Sequence, residues 1–219
     1  DKIPYDPIKS FSPISLIAEA PYLLLVNPTL PVNTTKELLA LAKAENGKLT
    51  YASSGNGSGA HMAAELLISM TGVPMTHVPY KGGGPALSDV LAGHVKVLFA
   101  PAVSSLQYIQ TGRLKALAIT GDKRLSSLPN VPTIAESGVP GYDSTVWYAM
   151  LAPPNTPREI VTRINAELLQ ILKDPSFKSM MSLNGIEPIG SSPEGLTSYI
   201  NKETIKWSKV IKSAGIRGE

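Results

Sequence analysis

Short apolar segments alternate with helical patterns along most of the chain, and this alternation indicates the fold class. Four segments have the length and composition of strands: 48–52, 75–78, 95–99 and 114–119. Each is separated from the next by a helical pattern or a turn. Strands that alternate with helices form βαβ units, so the pattern predicts an α/β fold around a parallel sheet.

Capping signals mark the helix boundaries. Thr34 and Glu37 have the spacing of a capping box, and Asn46 supplies a left-handed stop. Thr156 and Glu159 repeat the box with a proline between them, which fits the first position of a helix. The pattern predicts one helix ending near residue 46 and another beginning at about residue 157.

Two stretches break the alternation and suggest a division into two lobes. Residues 16–26 continue as one extended strand, and residues 128–141 form a connection rich in proline and glycine. We interpret both as crossings between lobes. The predicted division is 1–28 with 125–219 for the first lobe, 31–120 for the second, and hinge crossings near 26–31 and 120–133.

Composition narrows the possible functions. The chain has 219 residues, and no apolar run approaches the roughly 18 residues that cross a bilayer. Its 20 basic and 17 acidic residues give a net charge of only +3, too weak for nucleic-acid binding but suited to a small anionic ligand. The absence of cysteine excludes disulfides, thiolate catalysis and cysteine-ligated metals.

The most informative segment follows the strand at 48–52. It is a loop of small and polar residues that opens a helix: Ser53, Ser54, Gly55, Asn56, Gly57 and Ser58. Backbone N–H groups and hydroxyls converge there at the positive end of a helix dipole, so the loop could bind a carboxylate or phosphate. The alternative is that the serines only cap the helix.

A nucleotide site is the competing interpretation of the same loop. Gly55, Gly57 and Ala60 match the looser dinucleotide fingerprint, which also requires an acidic residue after the next strand. That strand instead runs into Tyr80 and Lys81. A nucleotide-using α/β enzyme is therefore the alternative to an anion-binding protein without a cofactor.

Two further strand-to-helix junctions are candidate ligand contacts. The second contains Tyr80, Lys81, Gly82 and Gly83, and the third contains Pro101 and Ala102. Junctions at the carboxyl edge of a parallel sheet face one crevice. A flexible loop and a simple turn are the respective alternatives.

Catalytic groups are sparse. No G-x-S-x-G motif surrounds the serines, and spacing assigns no histidine to activate them. His61 and Glu65 stand four residues apart, which permits a shared metal, but two ligands alone more simply form a solvated or capping pair. Trp147 lies in a polar and aromatic cluster that is either a pocket wall or core packing. We therefore expect no catalytic residues and no metal.

Several motifs, matching in order, give the chain a specific resemblance to one family. They are the segments 49–58 with His61, 78–82, 112–118 with Lys123 and Arg124, 128–138, and 147–157. These segments look like those of the Bug (TctC-like) family, the extracytoplasmic solute receptors of tripartite tricarboxylate transporters. The similarity covers essentially the whole chain.

The resemblance implies a two-lobed, hinged periplasmic-binding-protein fold (Venus flytrap) that captures a small carboxylate and performs no catalysis. It implies a periplasmic location and membrane transporter components as partners. Family members begin with a signal sequence and a βαβ portion that do not precede Asp1, so the first lobe is expected to lack that portion. A second copy of the chain, a rearranged terminal segment or a cleaved front piece that stays bound could cover the exposed surface, and homodimerisation is the favoured expectation. Ala100 stands where relatives often have an acidic or amide residue, so ligand choice is expected to differ.

Overall fold

A computed structural model describes residues 5–6 and 9–216. The chain forms two compact units. The larger comprises Ala20–Val146 and the residues from Val210 onward, and the smaller comprises the residues through Glu19 together with Trp147–Lys209. Each has its own sheet and helices.

The larger unit is a mixed sheet flanked by helices. Its elements are the second half of β1 (Ser12–Val26), α1 (Thr35–Glu45), β2 (Thr50–Ser53), α2 (Gly59–Thr71), β3 (Thr76–Pro79), α3 (Gly83–Ala92), β4 (Val97–Pro101), α4 (Ala102–Gln110) and β5 (Lys115–Ile119). The strand order is β3-β2-β4-β1-β5. This confirms the α/β class and the four predicted strands to within about two residues.

The direction of β1 corrects the expectation of a parallel sheet. β2 is parallel to β3 and to β4, but β1 is antiparallel to both β4 and β5, with Tyr22 opposite Pro101. Residues 22–26 lie inside the sheet and are almost completely buried. A strand buried on both faces is a continuous apolar run, which explains the sequence Tyr-Leu-Leu-Leu-Val at these positions.

The first predicted helix has the expected boundaries. Thr34 Oγ1 accepts a hydrogen bond of 3.1 Å from the Glu37 amide, and the Glu37 carboxylate reaches back to the amide of Asn33 at 2.6 Å. Asn46 ends α1 in the left-handed conformation with φ of 50°. Both helix ends are thus satisfied by the residues that the sequence pattern indicated.

The smaller unit contains a second sheet and three helices. The first half of β1 pairs with β6 (Thr145–Ala152) and β7 (Glu187–Pro188), accompanied by α5 (Arg158–Lys173), α6 (Pro175–Leu183) and most of α7 (Pro193–Ala214). The Asn165 side chain ties α5 to the sheet by donating to the carbonyls of Ile14 and Ser191 at 2.9 and 2.7 Å. The capping box expected at Thr156 does not form, since Pro157 is the N-cap residue of α5 and no side chain caps the helix. The Thr156 hydroxyl donates to the Pro153 carbonyl.

The expected lobes with hinge crossings near 26–31 and 120–133 stay a prediction, and the two compact units have their own boundaries. The chain passes between the units at 19/20, 146/147 and 209/210. Residues 121–146 stay with the larger unit because the Ile134 amide bonds the Ile119 carbonyl at 2.9 Å and the Tyr142 hydroxyl bonds the Ala63 carbonyl at 2.7 Å. Within the described residues, no helix has the length and apolar character to cross a membrane.

Candidate functional site

Three strand-to-helix junctions meet at one edge of the larger sheet. Because β2 is parallel to β3 and β4, their carboxyl ends share that edge. The first two junctions are in direct contact: the Tyr80 amide donates to the Ser53 carbonyl at 3.1 Å, and the Gly82 amide donates to the Ser54 carbonyl at 3.2 Å. The first two junctions therefore lie side by side at this edge.

The first junction ends in a capped helix. The Ser58 hydroxyl oxygen accepts from the His61 amide at 3.3 Å, so this serine is the N-cap of α2. Within the described residues, the amides of Gly59 and Ala60 in the same turn have no hydrogen-bond acceptor. The capping interpretation is therefore correct for Ser58, yet two donors remain at the positive end of the helix dipole.

The second and third junctions have no side-chain caps. Gly82 is the N-cap residue of α3, and Pro101 is that of α4. The Gly83 and Gly84 amides have no acceptor among the residues that the structure describes. All three helices therefore direct backbone donors toward the shared edge, an arrangement that attracts an anion.

Two glycines of the first junction are required by close packing. Gly55 has φ of +129°, and a Cβ there would lie 3.2 Å from the Tyr80 carbonyl oxygen. A Cβ on Gly59 would collide with the Tyr22 hydroxyl, because the Tyr22 ring covers the first turn of α2. Gly57 also has a positive φ, +69°, but a Cβ there would meet no atom within 4 Å. The space beside Gly57 is therefore open.

A cavity of about 330 Å³ lies at the junction edge. Its polar side chains belong to Tyr22, Ser54 and Ser104, and the remaining lining is glycine or apolar: Ala60, Gly83, Gly84, Ala86, Leu87, Leu98, Phe99, Ala100 and Pro101. Of the predicted site residues, Ser54, Gly83 and Pro101 line it. Sequence reasoning missed Tyr22, because only the antiparallel pairing of β1 with β4 brings it opposite Pro101.

Behind the first junction lies a buried polar cluster. Ser53 is fully buried, and its Oγ lies 2.6 Å from Nε2 of His77. The His77 ring stacks on His61 with centroids 3.8 Å apart, and His61 Nδ1 accepts the Gly57 amide at 3.0 Å. The two histidines therefore support both ends of the loop from beneath.

Acid-base groups complete this cluster. Since His61 Nδ1 is an acceptor, its proton is on Nε2, which lies 3.7 Å from the Glu65 carboxylate. The Tyr51 hydroxyl donates to the same carboxylate at 2.6 Å, and the Tyr51 ring stacks on His77. The cluster thus joins β2, β3 and α2 through side chains.

Burial determines the protonation of the cluster. Desolvation, followed by the electrostatic influence of the adjacent His61 ring, lowers the pKa of His77 to about 4. Burial alone would raise the pKa of Glu65, but the nearby His61 N–H and the hydrogen bond from Tyr51 outweigh it and bring the pKa below its ordinary value. Burial and the bond to Glu65 raise the pKa of Tyr51. At neutral pH, His77 is neutral and Glu65 is ionised.

Two predicted site residues of the second junction, Tyr80 and Lys81, lie outside the cavity. Tyr80 packs its ring against the core, and its hydroxyl donates to Asp89, which also contacts His94. Burial, followed by the bond to Asp89, raises the pKa of Tyr80 to about 12. Tyr80 does not line the cavity, and Lys81 is exposed.

Three other predicted site residues do not line the cavity. Asn56 is exposed, Ala102 is buried at the start of α4, and neither lines the cavity. Trp147 belongs to the smaller unit, where its ring packs edge-on against Tyr199 at 5.8 Å. No described residues form a group of three or more potential metal ligands.

The Ser53–His77 pair is the hydroxyl–imidazole contact that spacing did not assign. It was missed because the pair depends on the pairing of β2 with β3, which places Ser53 opposite Pro79. The Ser53 side chain is inaccessible to a substrate, and its oxygen also accepts from the Gly55 amide at 3.1 Å. Ser53 therefore holds the loop in position.

The mixed α/β fold is that of periplasmic binding proteins, among them the solved structure of BugD, which is 32% identical with a TM-score of 0.81 over 98% of this chain and 73% of its own. The chain belongs to the tripartite tricarboxylate transporter receptor family, TctC, whose sequence profile matches residues 1–216. The resemblance found from the sequence motifs is confirmed. Members of this family are solute-binding receptors rather than known enzymes.

Individual relatives agree with this assignment. Protein BugT of Bordetella pertussis is 32% identical over 98% of this chain and 66% of its own length. Rpa4515 of R. palustris, solved with adipate, is 39% identical, with a TM-score of 0.86 over 98% of this chain and 72% of its own. MatC (Rpa3494) of Rhodopseudomonas palustris, solved with malate, is 29% identical, with a TM-score of 0.80 over 96% of this chain and 73% of its own. The chain spans 63–66% of the length of the first curated relatives that it matches.

Proposed function

We propose that this chain captures a small carboxylate at the edge where the three junctions meet. The observation that carries the proposal is the convergence of the N-termini of α2, α3 and α4, with backbone donors at Gly59, Ala60, Gly83 and Gly84 that have no acceptor among the described residues. A carboxylate accepts two or more such bonds and is stabilised by the helix dipoles.

The proposed contacts are backbone amides and hydroxyls rather than cationic side chains. Ser54 lines the cavity, and Ser58 can donate its hydroxyl proton while its oxygen caps α2. The buried Ser53 and the partly buried His77 hold the loop in position from behind. Uncharged donors suit reversible capture, since they bind an anion without the desolvation cost of a buried ion pair.

The relatives support the chemical class of the ligand. Rpa4515 was solved with adipate and MatC with malate, and both of these ligands are carboxylates. The family description supports a role as the periplasmic receptor of a tripartite tricarboxylate-type transporter, with that transporter's membrane components as partners. Homodimerisation of this chain stays a prediction, which light scattering tests.

Calorimetry with a panel of carboxylates and nucleotides tests the proposal. We expect heat of binding from carboxylates and none from mononucleotides or dinucleotides. Nucleotide binding without any response to carboxylates would instead establish the competing interpretation of the Gly55, Gly57 and Ala60 fingerprint.

A matched pair of glycine variants tests the location. Gly57 and Gly72 stand just before and after α2 with φ of +69° and +67°, and a Cβ on either would meet no atom within 4 Å. Gly57→Val and Gly72→Val therefore carry the same backbone strain. We expect Gly57→Val to weaken carboxylate binding at least tenfold and Gly72→Val to leave it within twofold. Equal affinities in the two variants would place the site elsewhere.

A further inference from the structure

We infer that the preferred ligand is a carboxylate with an apolar body, an alkyl chain rather than a hydroxylated acid. The inference rests on the proposed capture of a carboxylate and adds the part of the ligand that the helix N-termini do not contact. It follows from the composition of the cavity that adjoins the three junctions.

The wall of the cavity is apolar. It is built by the side chains of Ala60, Ala86, Leu87, Leu98, Phe99 and Ala100. Most of these residues are almost fully buried in the core of the larger unit, and Leu87 is half-buried. The wall is therefore continuous with the core and is held by it, so it cannot readily rearrange to offer polar groups.

The polar lining lies at the junctions. Ser54 follows β2, and the Tyr22 hydroxyl lies against Gly59 at the start of α2. Ser104 lies in the first turn of α4, where its hydroxyl donates to the Pro101 carbonyl at 2.9 Å. No Asp, Glu, Lys, Arg or His is among the described residues that line the cavity. A carboxylate at the junctions would consequently direct the rest of the ligand toward the apolar wall.

Charge and size are complementary to such a ligand. The positive ends of three helices meet the anionic end, and about 330 Å³ is at the lower end of the range for small-molecule sites. A ligand methylene group that packs against this wall leaves water, which contributes favourable binding free energy. A hydroxyl group in the same place loses its hydrogen bonds to water, and the wall does not replace them.

A series of straight-chain acids measures the contribution of the wall. With the 219-residue chain, we expect affinity to rise about two- to fourfold per methylene from butyrate to pentanoate to hexanoate, fourfold being the equivalent of ~0.8 kcal/mol. Pentanoate and 4-hydroxybutyrate differ by a terminal methyl in place of a hydroxyl. We expect pentanoate to bind at least fivefold more tightly.

Two leucines of α3 provide matched variants. Leu87 lines the cavity, while Leu91, one turn later, packs against the same core without lining it, and both are partly buried. Leu87→Gln should weaken hexanoate about tenfold and flatten the chain-length series, and Leu91→Gln should preserve the series. Circular dichroism establishes that both variants are folded.

The outcomes separate this inference from the function beneath it. If all three acids bind equally, if 4-hydroxybutyrate binds more tightly than pentanoate, or if Leu91→Gln flattens the series as much as Leu87→Gln, the apolar-body inference is wrong and carboxylate capture stands. If neither these acids nor malate and citrate bind, the proposed function is itself overturned.

Discussion

The first two junctions expose similar backbone donors at the same sheet edge but are built differently. The first is capped by Ser58 and supported by the partly buried contact between Ser53 and His77. The second has the N-cap residue Gly82 without a side-chain cap, and its Tyr80 is held from the surface by Asp89. The first loop is held by polar side chains beneath it and the second by the local backbone geometry of its glycines. Substitutions should therefore change the stability of the two junctions unequally.

The largest difference is expected at the first residue of each helix. Gly59→Ala places a methyl group against Tyr22, whereas Gly83→Ala meets no atom within 4 Å and requires no positive φ. We expect Gly59→Ala to lower the free energy of unfolding by about 1–3 kcal/mol and Gly83→Ala to leave it unchanged or raise it by about 0.5 kcal/mol. Urea unfolding measures both, and equal effects would show that Tyr22 does not restrict the first junction.

Acid should weaken the first junction through His77. Its pKa is lowered from 6.5 to about 4 in the folded chain, so the unfolded chain takes up the proton first. The contribution of neutral His77 to the free energy of unfolding is therefore complete above pH 6.5. As the pH falls toward 4 this contribution is lost, which lowers the free energy of unfolding by about 1–2 kcal/mol after allowing for solvent screening. The free energy of unfolding at several pH values should show this decrease.

Histidine variants identify the origin of the acid effect. His77→Gln should reduce the decrease between pH 6.5 and 4. His94→Gln, at the exposed residue that contacts Asp89 beyond the second junction, should leave it intact. A pH profile that His77→Gln does not alter would assign the effect to other groups, of which Glu65 is the nearest acid in the cluster.

The smallest effect concerns the cap itself. Ser58→Ala removes the acceptor for the His61 amide and should cost about 1 kcal/mol of stability, whereas Ser58→Gly should cost only about a few tenths. Thermal unfolding of the two variants measures the difference. Identical melting temperatures for Ser58→Ala and the unaltered chain would show that the first junction, like the second, needs no side-chain cap.

Local signals predicted the elements and the edge where the junctions meet. The capping residues Thr34 and Asn46 marked α1, and the glycine loops marked the starts of α2 and α3. These signals depend on backbone geometry within a few residues, which a sequence displays directly.

Long-range pairing was not predictable in the same way. The antiparallel direction of β1 brings Tyr22 to the site, and the pairing of β2 with β3 brings His77 to Ser53. Both contacts join residues more than 20 positions apart, and no local pattern specifies which strands are neighbours. The apolar wall of the cavity was missed for the same reason, since its residues come from α2, α3 and β4.

The backbone amides provide the most direct test of carboxylate capture. In a ¹H–¹⁵N correlation spectrum of the chain at neutral pH, adding hexanoate should shift the resonances of Gly59, Ala60, Gly83 and Gly84 more than those of the helix C-termini. Their amides have no acceptor among the described residues, so a new bond to a carboxylate changes them strongly. Unchanged resonances at these four residues, at a hexanoate concentration that saturates the calorimetric response, would contradict the account.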